Sequence, residues 1–466
     1  MCAALRAISA ETAVDELGQL VGAGHVFGGA AAGDDYGHDE CLTAVPVIPL
    51  CVVKPGSTSE VQAVVAWARS NRVPLTARGA ATGLSGGCVP TAETVVVSFE
   101  RMATVEIDTA NHVAVVQPGV TLDELEAATA EHGLVYPVFP GESSASLGGN
   151  VATNAGGMRA VKYGVTRHQV LGLTAVLGSG EVVRTGGRFV KSTSGYDLTQ
   201  LIVGSEGTLA LVTEAILRLY PRPGHAATVL APFRSLEGVT GAVPGIIGSG
   251  IGPLVVEYID VMSMAGMLAN ASLDLGVPSA VQDATAAYLV VVLESRKAEW
   301  LDESVDELAV LLADLGAIDV FVLPSQSGVR LIEAREKAFW AAKANGADDI
   351  LDMVVPRAEI APYLARVNEL AAATGSFVVG CGHAGDGNVH LSVFQPDPGR
   401  RHEVVHGALR AAIDVGGAVS GEHGIGLAKK PYLAELEDPV KLALMRQIKA
   451  VFDPDNILNP GKVFDL

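Results

Sequence analysis

The run from Pro140 to Gly157 reads PGESSASLGGNVATNAGG. It constrains the fold more than any other stretch. Residues this small build no core of their own, but they let the backbone approach a flat or extended ligand closely. Ser143, Ser144, Ser146, Thr153 and Asn154 add hydrogen-bonding groups without charge. Leu147 and Val151 interrupt the run at regular spacing, which argues against a plain flexible loop.

Two shorter stretches are of the same kind. RGAATGLSGG at Arg78–Gly87 follows a strand pattern at Val73–Thr76. Its glycines let successive N–H groups point one way, and such a nest binds phosphate. It lacks the lysine of a nucleotide-hydrolase loop, its spacing misses the dinucleotide fingerprint, and a strand pattern follows at Thr94–Phe99. A plain glycine-rich turn is the alternative reading of this loop alone. The third stretch, VGSEGTLALVT at Val203–Thr213, is a Gly-Ser-Gly turn running into a strand.

The C-terminal third carries the reactive groups. GCGHAGDGNVHLS spans Gly380–Ser392, and SGEHGIGL spans Ser420–Leu427. Gly385-Asp386-Gly387 predicts a tight turn, and Val389–Val393 alternates like a strand. A strand–turn–strand hairpin brings His383 and His390 to one side. Two imidazoles and a carboxylate such as Glu422 suit Zn²⁺ or a similar divalent ion, with positions left open. His423 suits proton transfer, since an unperturbed imidazole titrates near about 6.5. Neighbouring side chains on an extended chain point apart, so His423 does not join Glu422 as a ligand.

Composition limits the partners. A length of 466 residues fits two or three domains, and 49% hydrophobic against 18% charged residues allows a large core. The formal net charge is −20, and no basic run exceeds Lys429-Lys430. Nucleic acid is therefore excluded as a partner. A carboxylate substrate needs a local cation to hold it against this charge. The five cysteines (Cys2, Cys41, Cys51, Cys88, Cys381) form no disulfide framework and no paired zinc motif. That pattern predicts a reducing, intracellular setting. Cys381 reads as a small apolar residue at a strand end. The N-terminus has no apolar core of signal-peptide length. Gly238–Val256 is uncharged, but Pro244, Pro253 and its glycines argue against a membrane-spanning helix. These features predict a cytoplasmic protein, and attachment at the inner face of a membrane is compatible with them. Gly248-Ser-Gly-Ile-Gly252 has dinucleotide-like glycines, but Pro253 follows, so NAD is discounted.

Pattern predicts helices at Glu11–Val21, Thr58–Asn71 (capped by Ser57 or Thr58) and Leu122–Glu131. It predicts strands at Val105–Asp108 and Val113–Gln117. Pro221 and Pro223 punctuate a domain end. Beyond them the chain reads as strand Ala226–Ala231, helix Leu254–Met264, strand Ala287–Glu294, helix Glu303–Ala313 and strand Asp319–Val322.

The three loops resemble the FAD-linked oxidase family of the vanillyl-alcohol oxidase type. The C-terminal motifs narrow this to the branch of glycolate oxidase FAD subunits, D-lactate dehydrogenases and D-2-hydroxyglutarate dehydrogenases. The resemblance runs from about Pro46 to the end. It implies an α+β fold: a helical lead-in (1–45), an FAD-binding domain of two subdomains (46–224), and a ferredoxin-like cap (225–466) whose C-terminal helical segment returns to the FAD domain. It implies pyrophosphate at Arg78, Gly79, Ala80, Ala81, Thr82, Gly83 and Leu84. It implies that Pro140, Gly141, Ser143, Ser146, Thr153, Asn154, Gly156, Glu206, Gly207, Thr208 and Val212 line the rest of FAD, with Asn459 near the flavin. Many relatives tether FAD through a histidine in the first loop; Ala80 and Ala81 stand there, so FAD is expected to be non-covalent.

The resemblance also implies metal ligands at His383, His390 and Glu422, a base at His423, and a substrate carboxylate held by Arg335. The residues alone would make Arg335 an ordinary helix-surface cation beside Glu333 and Glu336. The 2-hydroxyglutarate enzymes hold a second carboxylate with a hydroxyl residue and a lysine. Phe339 and Ile350 stand at those places, which implies a monocarboxylate: D-lactate, glycolate or a longer apolar 2-hydroxy acid. The implied reaction passes hydride to flavin N5 and electrons to an external quinone, cytochrome, flavoprotein or oxygen. Assembly into an oligomer is compatible with the sequence. Two other readings compete. A metal-dependent hydrolase leaves the glycine loops unexplained, and a non-catalytic FAD-carrying electron-transfer subunit does not need the cap motifs.

Overall fold

The computed structural model describes residues 8–466. Cys2 lies outside them.

Cys51–Val53, Val95–Ser98 and Leu75–Arg78 are short and buried on both faces. Strands of that kind pair in parallel and need a crossover. The helix Thr58–Asn71 provides it, with Ser57 accepting from Glu60 N–H. Val26–Gly28 pairs antiparallel with Cys51–Val53 and completes a four-stranded sheet. The helix Ala10–Val21 buries Ala13, Leu17 and Val21 in the same core. The lead-in is thus built into this subdomain, because its apolar stripe is buried there.

The second subdomain is a five-stranded antiparallel sheet in the order Val105–Asp108, Val113–Val116, Ala210–Arg218, Val170–Leu177, Val182–Gly186. A helix over Leu147–Thr153 forms inside the small-residue run, which the sequence pattern did not predict. Its glycines are poor helix formers. Burial of Leu147 and Val151 and the Ser146 cap, which accepts from Gly149 N–H, outweigh them.

The cap is a seven-stranded antiparallel sheet ending in the row Val255–Asp260, Phe377–His383, Asn388–Phe394, Asp349–Val354. Helices Leu236–Gly248, Ala298–Asp314, Ile360–Thr374 and Pro398–Asp414 bury one face of it. The other face looks toward the FAD-binding domain. One prediction fails here. The helix expected over Leu254–Met264 is a strand, Val255–Asp260, followed by a helix, Val261–Ala271. The β-branched run Val255-Val256 and Ile259 favours the sheet, and Asp260 caps the helix through Ser263 N–H at 2.7 Å. The helix Leu236–Gly248 contains Pro244, yet burial of Val239, Ala242, Val243 and Ile246 holds it.

After helices Lys430–Leu436 and Pro439–Phe452 the chain returns to the first subdomain. Leu75 N–H donates to Ile457 C=O and Asn459 N–H to Leu75 C=O, both at 2.7 Å. Among the described residues, no helix is long and apolar enough to cross a membrane.

Candidate active site

The strands Phe377–His383 and Asn388–Phe394 pair with Cys381 opposite His390. Their turn needs Gly387, which has φ +89° and where a Cβ would meet Val355 C=O at 2.1 Å. Side chains alternate along a strand, so Cys381, His383 and His390 face the same side. The loop Ser420–Leu427 adds Glu422. Its Oε1 lies 3.3 Å from Nε2 of His383 and 3.3 Å from Nε2 of His390. One ligand atom from each of these residues lies within 4.8 Å of the others, a spacing that could hold a metal ion.

Sequence reasoning missed the carboxylates behind this triple. Glu257, fully buried, places Oε1 2.5 Å from His383 Nδ1 and Oε2 2.8 Å from Arg335 Nε. A carboxylate on the far nitrogen of a ligating imidazole fixes its tautomer and orientation. Burial alone would raise the Glu257 carboxyl; the charges of His383 and Arg335 overrule it and hold the group below its usual range. Burial likewise disfavours charge on His383, but Glu257 and Glu422 push that imidazole up to about 10. Glu422 is held well below the carboxylate range, burial being overcome by His383 and by hydrogen bonds from both imidazoles. Two carboxylates thus converge on one imidazole, a place that attracts a cation.

Asp352 is also fully buried. It could form a second metal group with His390 and His423 by distance. Its oxygens are already taken. Oδ1 accepts from Asn388, and Oδ2 accepts from Ser420, from Lys429 and from the backbone N–H groups of Gly421, Glu422 and His423. Asp352 is therefore the post on which the loop carrying Glu422 and His423 hangs. Burial would raise it, but His423, Lys429 and these donors hold it well below its usual range. The rings of His423 and His390 stack at 5.2 Å. Burial lowers the His423 imidazole to about 4, so it carries a free nitrogen at neutral pH.

Arg335 ends the helix Ser325–Glu336 and is only 7% exposed, which excludes the surface-cation alternative. Among the described residues, its Nη2 has no hydrogen-bond partner. Beside it, burial pushes the Glu336 carboxyl up to about 7.

A cavity of about 590 Å³ runs between the cap sheet and the glycine stretches. Its wall includes Gly79, Ala80, Ala81, Thr82, Gly83, Leu84, Pro140, Gly141, Ser146, Thr153, Gly156, Glu206 and Gly207, and also Arg335, His383, His390, Glu422 and His423. The small-residue run and the His/His/Glu triple touch: a Cβ at Gly156 would lie 2.5 Å from Glu422 Oε2. Other predicted residues stand behind the wall. Arg78 donates to His38 C=O, Ser143 to Asp123, and Thr208 to Ser205 C=O. Asn154 ends its helix at φ 55° and accepts from Arg167 N–H, while Val212 packs against the second core. Asn459 ties Gly87 C=O to Glu206 C=O. Glu206 itself accepts from Ile425 and Gly426 N–H at 2.7 Å, and Ser85 donates to His423 C=O, so both domains grip the loop of His423.

Comparison with known proteins agrees with this architecture. Residues 49–186 match the FAD binding domain family, and 222–463 match the C-terminal domain of FAD linked oxidases. The chain is 55% identical to an uncharacterised FAD-linked oxidoreductase of Mycobacterium tuberculosis, over 96% of this chain and 97% of that one. It is 39% identical to a D-lactate dehydrogenase of Archaeoglobus fulgidus, over 97% and 98%. Substrate-bound p-cresol methylhydroxylase shares the fold, with TM-score 0.82 at 18% identity over 98% of this chain and 97% of that one. The protein belongs to the FAD-linked oxidases, in the oxidoreductase branch that holds D-lactate, glycolate and D-2-hydroxyglutarate dehydrogenases.

Proposed function

We propose that the protein oxidises a D-2-hydroxy monocarboxylic acid (D-lactate, glycolate or a longer apolar 2-hydroxy acid) to the 2-oxo acid, using non-covalent FAD and a divalent metal such as Zn²⁺. One observation carries this reading. A buried guanidinium whose Nη2 has no partner among the described residues, a His/His/Glu triple and a neutral imidazole converge on the cavity that the glycine stretches wall. Both groups suit the residues present. The triple has N, N, O donors with Glu257 fixing His383, and the small-residue wall offers Ala80 and Ala81 where a tether would need a histidine. When bound, FAD accepts a hydride, and a divalent ion makes a hydroxyl beside it more acidic.

The chain's own residues do the rest. Arg335 Nη2 pairs the substrate carboxylate, which fixes the acid's orientation in a protein of net charge −20. His423 takes the hydroxyl proton. Phe339 and Ile350 line the same cavity and offer no partner to a second carboxylate, which favours monocarboxylates. Electrons then leave to an external quinone, cytochrome or flavoprotein, in the cytoplasm or at the inner face of a membrane. A hydrolase using the same triple leaves both the glycine wall and Arg335 without a role.

The test is anaerobic mixing of purified protein with D- and L-2-hydroxy acids, before and after chelation. Bleaching of the yellow colour by a D-isomer or glycolate is expected, lost on metal removal and restored by Zn²⁺. A colourless protein, or bleaching that survives chelation, contradicts the reading.

A further inference from the structure

The cavity side of the cap sheet extends well beyond what lactate or glycolate can fill. Strand register sets its residues in rows. The reactive row contains Cys381 and His390, paired across the two strands. Two residues further along, Val379, Ser392 and Ile350 stand side by side on three adjacent strands. Two residues further again, Phe377 pairs with Phe394, and their rings lie 5.6 Å apart. All five line the cavity, whereas the alternate residues Val389 and Val393 are buried in the helix-covered core on the opposite face. Phe339 and Met267 flank the rows from the neighbouring helices. At the rim Phe377 is 52% exposed and Met262 59%.

From His390 to Phe394 the strand advances ~13 Å. The two outer rows of the sheet carry no charged side chain and one hydroxyl, that of Ser392. Arg335 fixes the carboxylate end of a bound acid, and the methyl of lactate stops before the second row. We infer that the preferred substrate is a 2-hydroxy acid with an unbranched apolar chain of roughly eight to ten carbons, laid along Val379 and Ile350 toward Phe377 and Phe394. This rests on the 2-hydroxy-acid reading above and assigns its side chain. Each methylene buried along the rows tightens binding by up to about fourfold, and the gain ends at the solvent-exposed rim.

The test uses holoenzyme and two readouts. One is anaerobic flavin reduction by D-2-hydroxy acids from D-lactate to D-2-hydroxydecanoate. The other is the dissociation constant of the matching 2-oxo acids, read from the shift of the flavin spectrum and needing no turnover. Affinity is expected to rise with chain length. Val379→Glu removes the gain from about the sixth carbon onward, and Phe377→Glu, at an exposed position, removes it only for the longest acids. Each series is read against D-lactate in the same variant, so a general change in rate leaves the chain-length readout intact. Chain-length-independent affinity alongside D-lactate bleaching overturns the inference and leaves the activity standing. Tightening with length but no bleaching by any 2-hydroxy acid supports the apolar rows and removes the activity. A flat acid series with a decyl-benzoquinone displaced by Val379→Glu overturns the inference and assigns the rows to the electron acceptor.

Discussion

Glu257 faces two cationic groups, His383 and Arg335, from a fully buried position. Removing one partner of such a pair is expensive because it strands the other charge. Glu257→Gln is therefore predicted to lower stability by about 3 kcal/mol and metal affinity by about 10- to 100-fold, measured by urea unfolding and by Zn²⁺ titration. Glu336 gives a pH effect. Its folded-state value of about 7 lies above the ordinary 4.5, so the folded protein binds the extra proton and loses stability as pH rises between those values. The ceiling near 3 kcal/mol falls to about 1 kcal/mol after solvent screening of this partly exposed group. Glu336→Gln is predicted to flatten the stability-versus-pH curve between pH 4.5 and about 7, read against wild type. His383, His390, Glu422 and His423 were legible because the local motifs carry them. Glu257 and Asp352 were not, although each is an acid inside an apolar strand, a type rarely buried unless paired. Their partners come from distant parts of the chain. Burial of Arg335 was likewise invisible to local pattern.

At the scale of elements, the loop Ser420–Leu427 has little regular structure and is held by others. Asp352 gathers three of its N–H groups, Glu206 two more, and Ser85 takes two of its carbonyls. Fixed carboxylates thus replace the hydrogen bonds a strand or helix would supply. The small-residue run closes against the same loop at Gly156. Gly156→Ala is predicted to push Glu422 aside, weakening Zn²⁺ binding and costing about 1–3 kcal/mol as overpacking; a Zn²⁺ titration beside a thermal melt checks both. The hairpin was predictable because its turn glycines and alternation are local. The strand Val255–Asp260 was misread because its short apolar run joins the helix Val261–Ala271 without a break, so one helical pattern was laid over both.

For the whole molecule, the FAD-binding domain and the cap build one cavity between them, and neither holds all of its groups. The tail ties them: Asp453 pairs with Lys449 and accepts Ile457 and Leu458 N–H, seating those residues in the first core. The domain order and the placing of the cap over the glycine loops followed from the motifs. The contribution of the lead-in helix did not, since its apolar stripe names no partner. The central claim is that His423 takes the proton while the rest of the cavity holds cofactor and acid. The direct measurement is the anaerobic rate of flavin bleaching by D-lactate in wild type and His423→Ala. The account predicts a variant that stays yellow and binds Zn²⁺ but bleaches about 100-fold more slowly or not at all; bleaching at the wild-type rate contradicts it.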